Sequence, residues 1–140
     1  MPSASEINLS DSPAYVHVTS NETIQGVQWQ QIPSFGDVPL ICDSSSDFLS
    51  RPVDISKYGM LYACAQKNAG IAGVTVAIIR RDLLARSQDS LPAMLDYRTF
   101  VEKGSRPNTP PVFAVYILGL VCEWLMNEVG GLLAISERNM

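Results

Sequence analysis

Two apolar runs enclose the stretch that decides the fold, Tyr62-Ala63-Cys64-Ala65-Gln66-Lys67-Asn68-Ala69-Gly70-Ile71-Ala72-Gly73. The run before it, 60–63, and the run after it, 74–79, are rich in aromatic or β-branched residues and border on glycine. This pattern is typical of short buried strands. The stretch therefore predicts a tight, glycine-containing turn between two core strands, with Lys67 held firmly on the turn.

Lys67 allows two interpretations. In the first, the strands keep the amine out of water, where it is stable only if it is paired or has lost its proton. A neutral lysine amine is a nucleophile for carbonyl groups. In the second, the side chain extends from the loop into water and has no chemical role. The residues around Lys67 leave both interpretations open.

Composition bounds the class of protein. The chain has 140 residues, 46% of them hydrophobic and 17% charged, which indicates one globular domain with a modest core. A net charge of −4, without Lys/Arg runs among aromatic residues, argues against nucleic-acid binding. The N-terminus has neither the basic nor the apolar segment of a signal peptide, so we expect a cytoplasmic protein.

The three cysteines, Cys42, Cys64 and Cys122, lie far apart, and each is in or beside an apolar run. An odd number of widely spaced cysteines favours reduced thiols packed in a cytosolic core. A disulfide framework or a metal site is therefore not predicted.

The apolar run 111–121 is too short for a membrane span, which needs about 20 apolar residues. We predict a buried helix from about Pro110 to Glu128, capped by Thr109 and ended by the glycines at 130–131. Because this helix is apolar nearly all round, it needs cover on every side. A chain of this length can hardly supply that cover, which points to another part of the same protein or to a dimer partner.

The remaining pattern predicts an α/β sheet. Strands are expected at 14–18 and 38–42, and short helices at 81–86 and 132–139. Asp43 directly follows a predicted strand, where side chains line the ligand crevice of an open α/β sheet. It is either a loop cap or a site residue. His17, the only histidine, lies in mid-strand, where we expect a core position rather than a catalytic one.

Six segments together carry a resemblance to a known family. They are Ser-Asn-Glu-Thr-Ile-x-Gly-Val at 20–27, Asp-x-Ser-Ser-x-Phe-Leu-Ser-Arg-Pro-Val-Asp at 43–54, Tyr-Ala-x-Ala-Gln-Lys-Asn at 62–68, Ala-Gly-Val-Thr at 72–75, Leu-Asp-Tyr at 95–97 and Asn-Thr-Pro-Pro at 108–111. In these motifs and their order, the chain resembles the central portion of the phosphoserine aminotransferases, class-V enzymes of the aspartate-aminotransferase fold. The resemblance implies a mixed, mostly parallel sheet with flanking helices.

The resemblance also implies a domain organisation. Residues 1–13 are a flexible lead-in, and residues 14–140 are part of the large domain that binds pyridoxal 5'-phosphate. Family members are much longer. Their glycine-rich phosphate loop, the aromatic residue that stacks on the cofactor, most substrate-binding residues and the C-terminal small domain have no counterpart in this sequence.

The resemblance assigns three residues to the reactive end of the cofactor. It implies that Lys67 forms the covalent bond with the cofactor aldehyde and later moves a proton at the substrate Cα. Asp43 pairs with the pyridine nitrogen and keeps it protonated. Thr23 donates a hydrogen bond to the edge of the ring.

Three further residues are implied to bind the cofactor phosphate. Gln66 does so within the subunit, and Asn108 and Thr109 reach into the site of a neighbouring subunit in a homodimer. The loop with Asn108 and Thr109 lies at a helix N-terminus, where the backbone N–H groups favour an anion. Ser45 is a weaker candidate for supporting the ring or the phosphate.

The reaction implied by the resemblance belongs to serine biosynthesis. Glutamate gives its amino group to 3-phosphohydroxypyruvate, which yields O-phospho-L-serine and 2-oxoglutarate. The alternative is a truncated, non-catalytic chain that at most binds the cofactor or a partner subunit. A nucleotide-binding module is a third class, but no glycine-rich nucleotide motif follows a strand.

The sequence departs from the family at several positions. Cys64 stands where glycine is usual, and a side chain there costs about 1 kcal/mol or more if the backbone needs a positive φ. Ala69 and Ile71 change the loop after the lysine, and the pair at 106–107 replaces an apolar-aromatic pair.

Overall fold

The computed structural model of the chain describes residue 2 and residues 6–140. Residues 1 and 3–5 of the expected lead-in lie outside the described residues. The strands are β1 (Val16–Thr19), β2 (Asn21–Glu22), β3 (Val27–Gln28), β4 (Leu40–Asp43), β5 (Met60–Cys64) and β6 (Thr75–Ile79). The α-helices are α1 (Arg81–Leu84), α2 (Tyr97–Glu102), α3 (Val112–Trp124), which continues as a π-helical turn (Leu125–Val129), and α4 (Leu132–Arg138). Single 3₁₀ turns lie at Ile55–Lys57 and Ala93–Leu95.

The main sheet has the strand order β1-β4-β5-β6. β1 and β4 are parallel, β4 and β5 are parallel, and β6 runs antiparallel to β5. The predicted mixed, mostly parallel sheet is therefore confirmed. β2 and β3 form a separate hairpin of two residue pairs. In the main sheet, Thr19 pairs with Asp43 and Asp43 with Tyr62, so the carboxyl ends of β1, β4 and β5 lie side by side.

The central strands bury one face and leave the other half open. Leu40 and Cys42 of β4 and Leu61 and Ala63 of β5 are buried, whereas the residues between them are only half-buried. This alternation has the period of two that a sheet with one covered face requires. The run 74–79 was expected to be a buried strand, and this is wrong for β6. Most of β6 is exposed because it forms the edge of the sheet, with β5 as its neighbour.

The loop that joins β5 to β6 is anchored at both ends. The Ala65 amide donates to the Val74 carbonyl at 3.0 Å, and the Ala69 amide donates to the Ala65 carbonyl at 3.0 Å. Both alanines are buried. Gly73 has a φ of +116°, and a Cβ there would lie 3.5 Å from the Ala114 Cβ at the start of α3. The predicted turn is therefore present, and α3 packs against its second half.

Helix α3 begins later than predicted. Its N-cap is Pro111, which makes no side-chain capping hydrogen bond, so the capping role expected of Thr109 is wrong. A residue that precedes proline is disfavoured in the helical conformation, and this applies to both Thr109 and Pro110. The helical segment ends as predicted, because Gly130 adopts the left-handed conformation with a φ of +94°.

The helical segment Val112–Val129 is mostly exposed in this chain. Only 17% of it is buried, so the prediction of a buried helix does not hold within these residues. Among the described residues, it is the one helix that is long and apolar enough to cross a membrane, by length and composition only. This is weak evidence for a membrane span, because a core helix of a soluble protein passes the same test. The missing cover agrees with the expectation that the helix needs another part of the protein or a second subunit.

The cysteines differ in their surroundings, and all three are free. Cys42 is buried, and burial is the main reason why its pKa is raised to about 11. Cys64 is half-buried in β5 with an ordinary negative φ, so it does not carry the backbone strain that its side chain could have caused. Cys122 is exposed on α3. The prediction of core thiols therefore holds for Cys42 and is wrong for Cys122, because α3 is uncovered.

The first prediction concerns the core. Leu61 in the central strand is 3% exposed, whereas Leu133 on α4 is 72% exposed. Leu61→Ala should lower the free energy of unfolding by about 2–5 kcal/mol, because it removes buried methyl groups and leaves a cavity. Leu133→Ala is the matched control and should change the free energy of unfolding by less than about 0.5 kcal/mol. Urea unfolding followed by circular dichroism measures both, and equal effects would contradict the assignment of the core.

Candidate functional site

The candidate site lies at the carboxyl ends of the parallel strands. The turn 44–48 follows β4, the loop 65–74 follows β5, and the turn of the β2–β3 hairpin lies beside them. Ends of parallel strands meet at one edge of a sheet, so polar residues that come just after each strand are brought together. Thr23, Asp43 and Lys67 come to this edge from three separate parts of the chain.

Lys67 is held by two hydroxyl groups. Its Nζ donates to Thr23 Oγ1 at 2.7 Å and to Ser46 Oγ at 3.0 Å, and the two hydroxyls are 2.7 Å from each other. Lys67 is nevertheless exposed, as are Gln66 and Asn68. Of the two interpretations of Lys67, the one in which the strands keep the amine out of water is therefore wrong for this chain, because the loop lies at an open edge of the sheet. No salt bridge ties Lys67 to a carboxylate within the described part of the chain.

Asp43 is held in its ionised form. Partial desolvation raises its pKa, but the hydroxyl and backbone N–H of Ser45, the Tyr62 hydroxyl and the nearby His17 together outweigh that effect and leave the pKa below its ordinary value. The Ser45 amide lies 2.9 Å from Asp43 Oδ1. The carboxylate is therefore charged at neutral pH and available to a cationic or N–H group.

His17 and Tyr62 extend this arrangement. The His17 Nε2 lies 3.1 Å from the Tyr62 hydroxyl. The direction of this hydrogen bond depends on the tautomer of the imidazole. His17 is exposed, so the core position expected for it is wrong. It lies on the open face of β1, an edge strand, and the pattern of residues did not indicate which face would be open.

Ser45 connects two strand ends. Its hydroxyl accepts from the Cys64 amide at 2.9 Å, and the residue is buried. Its observed contacts join the turn after β4 to the end of β5 and fix Asp43.

Asn108 and Thr109 lie apart from this cluster. Both are exposed on the loop before α3, and Asn108 Nδ2 donates to the Thr109 carbonyl at 3.1 Å. Within the described residues, neither makes a hydrogen bond to Thr23, Asp43 or Lys67. The structure thus brings Thr23, Asp43, Gln66 and Lys67 to one edge of the sheet and leaves these two residues on a separate loop.

Three residues of the cluster were not among the candidates predicted from the sequence. Ser46 contacts Lys67, Tyr62 contacts Asp43, and Asp47 is buried beneath the turn. The run 44–47, directly after a strand, could have indicated Ser46 and Asp47, because hydroxyls and a carboxylate at a strand end often form a site. Tyr62 gave no comparable signal, since an aromatic residue in a strand is usually a packing residue. Residues 6–140 contain no group of three or more His, Cys, Asp or Glu placed to hold a metal ion.

The comparisons define the class of protein. A family model described as aminotransferase class-V matches residues 2–140, and the chain belongs to this family. The chain is 53% identical over 139 residues to phosphoserine aminotransferase from Paraburkholderia phytofirmans, with 99% of the chain and 38% of the relative covered. It is 54% identical over 134 residues to the phosphoserine aminotransferase of Desulfatibacillum aliphaticivorans, with 96% of the chain and 37% of the relative covered.

Solved structures agree with these relatives. Phosphoserine aminotransferase from Bacillus circulans subsp. alkalophilus superposes with a TM-score of 0.94 at 50% identity, over 99% of this chain and 38% of that one. A PLP-bound phosphoserine aminotransferase from Trichomonas vaginalis superposes with a TM-score of 0.91 at 44% identity, with the same coverage. The chain therefore has the fold of the corresponding segment and spans about 38% of the length of these relatives.

The second prediction concerns the charge of Asp43. Since its pKa is lowered in the folded chain, the ionised carboxylate stabilises the fold above the ordinary pKa of about 3.9, and this contribution is lost as the pH falls through the lowered value. Tyr62→Phe removes one donor and should raise the pKa of Asp43 toward its ordinary value. Carbon-13 NMR titration of the carboxyl group measures it.

The matched control for this titration is Tyr58→Phe. Tyr58 is a half-buried tyrosine whose hydroxyl is not among the groups that act on Asp43. This control should leave the Asp43 titration unchanged. An Asp43 pKa that is the same in Tyr62→Phe and in the unaltered chain would show that the hydroxyl does not hold the carboxylate.

Proposed function

We propose that this chain is the lysine-bearing part of the large domain of a pyridoxal-phosphate-dependent aminotransferase. The whole protein would transfer the amino group of glutamate to 3-phosphohydroxypyruvate, giving O-phospho-L-serine and 2-oxoglutarate. The observation that carries the proposal is the Lys67 amine, which is held by the hydroxyls of Thr23 and Ser46 at the strand edge that also presents Asp43. The names of the relatives support the choice of substrates.

The residues present fit the cofactor chemically. The Lys67 amine contacts two neutral hydroxyls, and a lysine amine is a group that forms a covalent bond with an aldehyde. The Asp43 carboxylate, whose pKa is lowered, complements a protonated ring nitrogen. An amine and a separate ionised carboxylate on one sheet edge are thus the two groups that a pyridoxal ring needs at its two reactive ends.

Each residue then has a definite task. Lys67 would hold the cofactor covalently and, when released, would move a proton at the substrate Cα. Asp43 would accept the ring N–H, and the Thr23 hydroxyl would hydrogen-bond the edge of the ring. The bound cofactor supplies the electron sink for the reaction. Ser45 and Tyr62 keep Asp43 in place and charged.

The phosphate would be bound by Gln66 and, from a neighbouring subunit, by Asn108 and Thr109. Gln66 precedes Lys67 on the same exposed loop, and the other two are exposed shortly before the first turn of α3. The N–H groups and dipole of a helix N-terminus favour an anion there. Exposure of Asn108 and Thr109 on a separate loop agrees with a role in another subunit's site, and we accordingly propose a homodimer that acts in the cytoplasm.

The alternative is a truncated chain that at most binds the cofactor or a partner subunit. The comparisons do not favour it, since the relatives are named as aminotransferases. It differs from the main proposal in its prediction for a complete protein built around these residues, and the chimera experiment below uses that difference.

The third prediction tests the lysine. Addition of pyridoxal phosphate to the chain should produce the visible absorption band of lysine-bound cofactor, and borohydride reduction followed by mass spectrometry should place the adduct on Lys67. Lys67→Ala should abolish the band. Lys57→Ala is the matched control, an exposed lysine on a 3₁₀ turn, and should leave the band intact. A band that survives Lys67→Ala would contradict the proposal.

The fourth prediction tests the reaction. The 140-residue chain alone should show little or no turnover of glutamate with 3-phosphohydroxypyruvate, because it spans only 38% of the length of its relatives. A chimera in which this chain replaces the matching 139 residues of the Paraburkholderia phytofirmans relative should turn over at about 1 per second or more. Lys67→Ala in the same chimera is the control. A folded but inactive chimera would favour the non-catalytic alternative.

A further inference from the structure

Asp47 is a buried carboxylate in the turn after β4, and its side chain is only 7% exposed. Its Oδ1 accepts hydrogen bonds from the hydroxyls of Ser20 and Ser44, the latter at 3.2 Å. Its Oδ2 accepts from Gln28 Nε2 at 3.0 Å and lies 3.5 Å from the Arg51 guanidinium. Each carboxylate oxygen therefore has two polar partners, as a buried carboxylate requires.

These contacts join the turn after β4 to the β2–β3 hairpin. Ser20 lies just before β2, and Gln28 ends β3. The Trp29 amide closes the base of the hairpin by donating to the Ser20 carbonyl at 2.9 Å. Arg51, beside Asp47, donates in addition to the Trp29 carbonyl at 2.6 Å. The base of the hairpin is thus fastened to a single buried carboxylate.

The hairpin needs this attachment. It consists of two residue pairs, and an isolated two-stranded hairpin is marginally stable at best in water. Thr23 lies directly after β2, in the turn, and its hydroxyl contacts Lys67 and Ser46. The position of that hydroxyl relative to the amine therefore depends on how firmly the base of the hairpin is held.

We propose that Asp47 is a positioning residue that holds the Thr23 hydroxyl on the Lys67 amine. It does not contact Lys67 and acts through the hairpin. The geometric part of this inference stands on the contacts given above, whereas its consequence for cofactor binding rests on the proposed function.

Asp47 faces two N–H donors, Gln28 and Arg51, and two serine hydroxyls that donate to it. In Asp47→Asn one oxygen becomes an NH₂ group, which cannot accept from the donors that this oxygen faces, either Gln28 and Arg51 or the two serine hydroxyls. The side chain keeps its shape, so the substitution removes hydrogen-bond acceptance rather than volume. Gln28→Leu removes one donor from the other side and is a milder variant, which serves if Asp47→Asn does not fold.

The test measures the reactivity of the Lys67 amine in the cofactor-free chain. The rate of acylation of Lys67 by acetic anhydride, read by mass spectrometry, should rise roughly 3- to 10-fold in Asp47→Asn, because the amine loses the hydroxyl that restrains it. Thr23→Val should give a similar rise. The double variant should match Thr23→Val alone, since Asp47 acts through Thr23.

A matched control separates positioning from general stabilisation. Asp96 is another buried carboxylate, hydrogen-bonded by Arg98 at the start of α2. Asp96→Asn should lower thermal stability and leave the acylation rate of Lys67 unchanged. An unchanged rate in Asp47→Asn, or additive effects of Asp47→Asn and Thr23→Val, would overturn the inference.

A second measurement reads the dissociation constant of pyridoxal phosphate in the same variants. Asp47→Asn should raise the dissociation constant about tenfold. In a chain that already carries Thr23→Val, Asp47→Asn should not raise it further. If the unaltered chain binds pyridoxal phosphate at Lys67 and Asp47→Asn does not weaken it, the inference fails. If the unaltered chain forms no adduct at Lys67, the proposed function fails instead, and the acylation rates decide the inference by themselves.

Discussion

The parallel pairing of β1, β4 and β5 is the constraint on which the rest of the structure depends. It sets the ends of three strands side by side, so the residues that follow each strand must share one edge of the sheet. The burial of Cys42 and Leu61 on one face of the sheet fixes which side chains turn to the other face. Asp43 and Tyr62 lie on that other face because they alternate with these core residues.

The site consists of two polar clusters that share the turn after β4. In one cluster, Ser45 and Tyr62 help to lower the pKa of Asp43. In the other, the Lys67 amine donates to two neutral hydroxyls. Because the amine and the carboxylate are held by different groups, they need not neutralise each other. This separation places an amine and a carboxylate with a lowered pKa in one small site. Asp47 belongs to the same turn. Its side chain is buried and holds the base of the hairpin that contains Thr23.

Several surfaces of this chain are exposed. The open face of the sheet, the loop with Lys67 and the apolar helix from Val112 to Val129 are all uncovered, and the chain spans about 38% of the length of its relatives. Apolar side chains such as Phe113 and Trp124 on this helix are 67% and 43% exposed. Covering such apolar surfaces with another part of the protein or with a second subunit is favourable, because it removes apolar area from water.

Much of the fold could be predicted from periodicity and from glycine and proline. The strands around Lys67 and the end of the helix at Gly130 were predicted in this way, because residues close to them in sequence determine them. The exposure of β6 and His17 could not be predicted, since it depends on which strands lie at the edge of the sheet. Within the site, Lys67 and Asp43 stood out from their positions after predicted strands, whereas Thr23 and the roles of all three came from the resemblance. Tyr62 could be found only from the structure, because its partners Asp43 and His17 lie far away in sequence, His17 by 45 residues.

The most direct test of the account is a crystal structure of the protein with pyridoxal phosphate bound. The account predicts continuous density between Lys67 Nζ and the cofactor aldehyde carbon, with the ring nitrogen at hydrogen-bonding distance from the Asp43 carboxylate. A cofactor bound elsewhere, or one attached to Lys67 with its ring nitrogen turned away from Asp43, would contradict it.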